Sequence, residues 1–505
     1  MDTQSLWKAI TVKSTDYPVL DKDIEVDVAI IGGGITGVTA ALHLIESGKK
    51  VAILEAEEVG GVTTGFSSGN LYVAVQPYFQ NIISKFGLET AKQIAHSRKL
   101  AIDTIEKNVN AQNIKCHFSR RPWYVYTEDE DKIPFLQKEV EVFNQMEIPV
   151  NTVNSLPLPI KFKKAALMEN QARFNPLQYV VSLAEHLQSK GCLIFEKTRV
   201  MNISEGNDRC SLETARGKVT AKNTIIATHT PIGISSTQLF TAPYRSYVVA
   251  AHLNDNVYPE GHFWDLNHPH HAICTHSISS DHPELLLVAG NHHKVGQAKD
   301  ANSHYTGLEQ FLRKNFSIKE FAYRWSSQHY HAADDIPYIG LASRSAKNTY
   351  IATGYFADGL VYGTLAGMII GDLISNKENA LSKIYNSNRF TPIASASFLM
   401  RENSNVFLQY LKDLPQLKAK SVDDVKAGEG KVLDIKGEKC GVYRDNNQKL
   451  HIVSAVCTHM MGIVTFNNAE NTWDCPCHGS RFTTEGDVIE GPAKAPLTKI
   501  NEREI

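Results

Sequence analysis

Val26-Asp-Val-Ala-Ile-Ile31 and Val51-Ala-Ile-Leu54 are short, nearly continuous apolar runs. Strands buried on both faces of a parallel sheet read this way. Between them Val38 to Ser47 has the length and periodicity of a helix, and Gly32-Gly33-Gly34-Ile35-Thr36-Gly37 fills the join. Together these runs predict a βαβ unit for a dinucleotide. Gly32 permits the tight turn, Gly34 lets the backbone approach a pyrophosphate, and Gly37 lets helix and strand pack closely. Ile35 and Thr36 then sit at a helix N-terminus whose N–H groups and dipole favour phosphate. Glu55, eighteen residues after Gly37, ends the second strand beside Ala56 and is placed to accept hydrogen bonds from an adenosine ribose.

Further on the pattern is mixed. Two long segments, about 81–156 and 241–322, alternate amphipathic helices with short strands such as Trp123-Tyr-Val-Tyr126 and Leu285-Leu-Leu-Val288. Thr391 to Ser404 is small and polar, Asn405 to Asp413 reads as a short helix, and Leu414 begins an exposed linker within 396–420. From Ser421 the periodicity becomes that of short strands, at Gly430 to Ile435, Cys440 to Tyr443 and Leu450 to Val453.

Composition narrows the function classes. The chain has 505 residues, enough for two or three domains, and a net charge of −2 with no long basic run. Nucleic acid is not an expected partner, because phosphate binding needs concentrated Lys and Arg. Eight scattered cysteines suit a reducing compartment. No apolar run is long enough to span a bilayer, and a cytoplasmic location is expected.

Three of those cysteines fall in two short loops, Cys457-Thr-His459 and Cys475-Pro-Cys477-His478-Gly479-Ser480-Arg-Phe482, with fifteen residues between His459 and Cys475. Each loop offers one thiolate and one imidazole. Structural zinc sites usually pair Cys with Cys and His with His. A mixed pair in each loop suits a 2Fe-2S cluster in which two His replace two Cys on one iron. The motif resembles the Rieske domain, and the resemblance makes Cys457, His459, Cys475 and His478 the ligands. It also implies that Ser480 donates a hydrogen bond to a cluster sulfur and that Gly491-Pro492-Ala493 is the shielding proline loop. Respiratory relatives carry a loop-bridging Cys where Gly462 stands, so that disulfide is not expected, and often a Tyr where Phe482 stands. Fewer hydrogen bonds to the cluster imply a lowered potential.

The hydroxyl-rich loop after Glu55, with Thr63, Thr64, Ser67, Ser68 and Gly69, leads into no third strand. Here the chain resembles the D-amino acid oxidase superfamily of FAD enzymes, which includes glycine and sarcosine oxidases. The resemblance implies that the loop passes beside the pyrophosphate and flavin, that the backbone of Val200 meets the adenine, and that Ala227 and Thr228 end a strand returning to the nucleotide domain. It also implies that Gly354, Asp358, Gly359 and Leu360 belong to the strand, turn and helix that close over the flavin ring. Gln328 lies near the position where some relatives attach flavin through Cys, so noncovalent FAD is expected. His293 matches an active-site His, and Ala289 stands where relatives carry a Lys that promotes oxygen reaction. Arg245 and Arg324 are candidates for holding a substrate carboxylate, with a structural ion pair as the competing role. The second insertion is rich in histidine, including His270 and His292, and hydrogen-bonded or surface imidazoles are expected there. No second Gly-x-Gly-x-x-Gly unit follows, which disfavours NADH as donor.

The expected fold is thus α/β. A Rossmann-type FAD-binding domain, residues 1–395, has nucleotide-binding parts at about 24–80, 157–240 and 323–390 and an interleaved α+β substrate domain at about 81–156 and 241–322. A small all-β Rieske domain follows at 421–505. The expected activity is oxidation of a small amine or amino acid, with electrons leaving through the cluster to an external acceptor protein or small acceptor. A reductase running the other way and a non-catalytic redox sensor or carrier are the alternatives.

Overall fold

The computed structural model describes residues 3–277, 284–412 and 421–501; the linker expected from Leu414 lies outside the described residues. One sheet runs in the order Tyr338–Leu341, Thr349–Thr353, Lys218–Ile226, Ile24–Ile31, Val51–Leu54, Leu193–Phe195. All its pairings from Thr349–Thr353 to Leu193–Phe195 are parallel. Val28, Ala29 and Ile30 in the central strand are wholly buried, as a doubly covered strand requires. The helix of the βαβ unit spans Ile35–Glu46, beginning three residues before Val38, because the glycine turn ends at Gly34 and Ile35, Thr36 and Gly37 are already buried in its first turn.

That helix lies on a second one, Gly359–Ile374. The contact is made by glycines four residues apart. An added Cβ would stand 2.7 Å from Thr36 Oγ1 at Gly363, 2.8 Å from the Ala40 amide at Gly367 and 2.6 Å from the His43 ring at Gly371. Only glycine allows this backbone approach, which fixes the two helix N-termini side by side.

The second sheet runs Ile318–Ala332, Thr241–Leu253, Leu285–Lys294, His271–His276, His262–Asp265, Ser119–Thr127, Lys164–Arg173, Asn70–Leu71. Its longest pairing sets Thr241 opposite Ala332 and Leu253 opposite Ile318. Strands from the insertions thus meet strands from outside them in a single sheet, which covers the first.

Where small residues from Thr391 to Ser404 suggest the end of the FAD-binding domain, followed by a short helix at Asn405 to Asp413, there is one helix, Pro392–Lys412. Alanine has the highest helix propensity, so small composition there is no break. Ser395, Phe398 and Glu402, three and four apart, are buried on one face, and Phe398 packs with Ala242 and Ala333.

The C-terminal region holds two antiparallel sheets, Gly430–Ile435, Glu438–Arg444, Leu450–Ser454 and Thr465–Asn467, Thr472–Asp474, Arg481–Thr483, Val488–Glu490. Trp473, Phe482 and Val464 are wholly buried at its centre. Among the described residues no helix is long and apolar enough to cross a membrane. Gly367→Val, which drives a branched side chain into the Ala40 backbone, is expected to destabilise the protein by about 1–3 kcal/mol. Thermal denaturation would measure this, and retained FAD at wild-type stoichiometry would contradict the role given to the helix pair.

Candidate functional site

A large cavity opens between the two sheets. Gly32, Gly34, Ile35, Thr36, Glu55 and Ala56 line it from the βαβ unit, and Thr63, Thr64, Ser67 and Ser68 from the loop after it. Val200, Ala227 and Thr228 add to the wall, as do Asp358, Gly359 and Leu360. Gly37, Gly69 and Gly354 are not on the wall but stand behind it: a Cβ on Gly37 would meet the Gly32 carbonyl at 2.0 Å, and one on Gly69 the Phe174 carbonyl at 2.6 Å. Gly354, at φ +78°, backs onto Ala332.

The wall fits an elongated dinucleotide. The helices Ile35–Glu46 and Gly359–Ile374 both start at it, and neither N-cap residue, Gly34 or Asp358, uses a side chain to cap its helix. Their first-turn amides, apart from that of Ile35, which Thr64 Oγ1 accepts at 3.1 Å, therefore face the cavity with their positive dipole ends. Glu55 is buried, accepting from the amides of Gly33 and Glu57, both at 2.8 Å. Burial pushes its carboxyl up against those two hydrogen bonds. Each carboxylate oxygen keeps a further lone pair for a ribose hydroxyl.

The two cysteine–histidine loops are brought together. The His459 and His478 rings are 5.0 Å apart at 83°, and the Nδ1 atom of each is buried with no hydrogen-bond partner among the described residues. His459 Nε2 lies 3.2 Å from the Gly233 carbonyl, which selects the tautomer with a proton on Nε2 and the lone pair on Nδ1. The Cys457 thiol is pushed far up by its hydrogen bond with Cys475 and by burial. Cys475 is opposed by a lowering bond from Cys457 but is raised by Cys477 and burial to about 12. Two buried sulfurs beside two unpartnered imidazole nitrogens form a donor set that a cationic iron centre completes. Ser480 Oγ bonds Cys457 and accepts from the Ala493 amide at 3.1 Å, joining the ligand loop to the proline loop. A Cβ on Gly462 would lie 2.6 Å from Cys477 Sγ, so Gly462 occupies the place facing the second loop.

The second of these loops meets the cavity wall through the strand Ile318–Ala332. Gln328 and Tyr330 line the cavity; Gln328 Nε2 donates to the Gly479 carbonyl at 2.9 Å and Tyr330 Oη to the His478 carbonyl at 3.4 Å. His229, also on the wall, meets the Tyr330 ring edge-on at 4.9 Å, and burial lowers its pKa to about 4. Ile489, Glu490, Gly491, Ala493 and Lys494 of the C-terminal region complete the wall. One layer of side chains separates the cavity from His478, a candidate cluster ligand.

Arg245 lies in the domain contact and not on the cavity wall. Its Nη1 donates to Glu470 at 2.8 Å and to Ser326 Oγ, and its Nη2 is 3.8 Å from Glu490. Arg481 meets Glu470, Asp474 at 3.2 Å and Glu490 at 3.0 Å. Burial would raise the Asp474 carboxyl, yet Arg481 and Arg245 hold it below its ordinary range. Arg324 stacks over Tyr305 at 5.1 Å, and His293 bonds Tyr247 Oη at 3.0 Å and stacks on His304 at 4.2 Å. Neither lines the cavity. The wall does include His229, Trp264, His270, His292, His329 and Tyr330, which the sequence did not single out as site residues. The Thr228-His229-Thr230-Pro231 run directly after a recognised strand was the one local signal for any of them.

The FAD dependent oxidoreductase family model matches residues 27–373 and the Rieske [2Fe-2S] domain model residues 416–501. A Bacillus subtilis (strain 168) protein, YhfW, named as a Rieske 2Fe-2S iron-sulfur protein, is 33% identical over 502 residues, covering 99% of this chain and 97% of its own. Gamma-glutamylputrescine oxidoreductase of Escherichia coli (strain K12) is 25% identical over 394 residues, covering 74% of this chain and 89% of its own. The crystal structure of glycine oxidase from Geobacillus kaustophilus superposes with a TM-score of 0.60 at 19% identity, over 72% of this chain and 99% of that one, a likeness of fold. This chain therefore belongs to the FAD-dependent oxidoreductase family, as an enzyme whose C-terminal Rieske domain adds a 2Fe-2S cluster to the FAD.

Proposed function

We propose that this enzyme oxidises a small amine or amino acid at the C–N bond and passes the electrons through the cluster to an external acceptor. The observation that carries the reading is the shared wall: Gln328 and Tyr330 line the FAD cavity and donate to the backbone of the ligand loop at His478 and Gly479. When bound, FAD supplies a two-electron acceptor for hydride and the cluster a one-electron outlet.

The chain's own residues hold this arrangement. Residues 489–494 cover one side of the cavity and exclude water from it. The amides at the start of Gly359–Ile374 present positive dipole to whatever negative charge develops at that end. The Arg245–Glu470–Arg481 contact fixes the ligand loops against the wall. Ala289 lines the cavity, so no ammonium stands at the position where oxygen-using relatives carry Lys. That supports an acceptor other than oxygen.

Anaerobic mixing with small amines and amino acids is expected to bleach the flavin first and then to raise the EPR signal of the reduced cluster. Bleaching by none of them, or cluster reduction ahead of flavin under substrate, would overturn the reading. Glu470→Ala leaves two buried guanidinium groups short of charge, a cost on the order of 3–5 kcal/mol. Its expected signature in stopped-flow spectra is normal flavin bleaching with cluster reduction slowed about tenfold or more, 1.4 kcal/mol or more in barrier. Ala289→Lys is expected to speed reoxidation of the flavin by oxygen about tenfold, since a buried cation stabilises charge developing there; an unchanged rate in an oxygen electrode would count against the part given to Ala289.

A further inference from the structure

We infer that the substrate end of the cavity is built for a cationic amine that carries no α-carboxylate. This rests on the amine or amino acid reading above and narrows it. Tyr72, Trp264, His270, His292 and His329 line that end. Their rings form a continuous run: Tyr72 to Trp264 at 4.9 Å, Trp264 to His270 at 5.5 Å, His270 to His292 at 6.5 Å and His292 to His329 at 5.2 Å. Nδ1 of His292 and both ring nitrogens of His329 are buried with no hydrogen-bond partner among the described residues. Burial also keeps these imidazoles neutral, lowering His292 to about 3 and His329 well below its ordinary value.

An aromatic run attracts a cation, and a neutral imidazole nitrogen accepts a hydrogen bond from an ammonium. Trp264 Nε1 and the single N–H of each neutral imidazole are donors a carboxylate could use, but among the described residues no cation lines the wall at this end to offset its charge, and desolvating a carboxylate without one is costly. Among the described residues the cations on the cavity wall are Arg199 and Lys494. Arg199 is held by Glu57 at 3.3 Å and the Val488 carbonyl at 3.1 Å, next to Val200, and Lys494 lies against Gly233. Arg98, behind Tyr72, donates to the carbonyls of Tyr72, Val73 and Ala74 and lies 3.5 Å from Asp358. Asp358 itself is on the wall, and its charge acts on Tyr72 more strongly than the opposing charge of Arg98, while Arg245, paired with Glu470, acts on His329 from behind the wall.

The test uses the holoenzyme and two probes of similar size that cannot be turned over, benzyltrimethylammonium and benzoate, followed by the visible difference spectrum of the flavin. The ammonium is expected to perturb the spectrum with a dissociation constant about tenfold or more below that of benzoate, a difference of about 1.4 kcal/mol. Trp264→Leu is expected to weaken the ammonium about tenfold while benzoate is unchanged, in preparations checked for full FAD content and an unaltered cluster EPR spectrum. Tighter benzoate, or no perturbation by either probe, overturns the inference. A second arm compares anaerobic bleaching by matched pairs, phenethylamine with phenylalanine and isoamylamine with leucine. Faster bleaching by the amino acids also overturns it. Ammonium binding without bleaching by any amine would uphold the cation pocket and remove the amine-oxidation reading, so the two failures are told apart.

Discussion

The buried ionic contact between Arg245 and Glu470 sets the relation on which this molecule depends. Arg245 belongs to a strand of the sheet that roofs the cavity, and Glu470, Arg481, Asp474 and Glu490 belong to the domain that bears the ligand loops. Two guanidinium groups and three carboxylates are removed from water together, and in such surroundings each is tolerable only with the others in place. Asp474 directly precedes Cys475 and Arg481 directly follows Ser480, so the residues that make the domain contact flank the second cysteine–histidine loop on both sides.

The flavin side is organised by a different constraint, steric rather than ionic. Gly363, Gly367 and Gly371 let one helix lie against the backbone of another, and both helices begin at the cavity. FAD is long, with an anionic pyrophosphate at its middle and an electron-accepting ring at one end. Two fixed dipoles on a single rigid pair of helices match that shape without mobile side chains.

The parts visible in the sequence were those whose physics is local. The strand, glycine turn, helix and Glu55 lie within about thirty residues, so apolar periodicity and spacing reveal them. The four candidate iron ligands are visible because a small metal centre demands donors at close spacing. Arg245 was legible as a guanidinium with work to do, but its carboxylate partner stands 225 residues away within the same chain. The lining of the cavity by residues 489–494 was hidden for the same reason, since no periodicity marks a contact between distant segments. The Pro392–Lys412 helix was hidden by its Ala and Ser content, which reads as linker until burial of Ser395, Phe398 and Glu402 shows its face.

The histidine loops carry a consequence for how the two domains feel each other. His459 Nε2 is bonded to the Gly233 carbonyl, and the His478 carbonyl accepts from Tyr330, so each loop reaches the FAD-binding domain through a hydrogen bond. The strength of the bond to Gly233 depends on the charge carried by the His459 ring. The domain contact and the charge of the centre are therefore linked, and neither can change without the other.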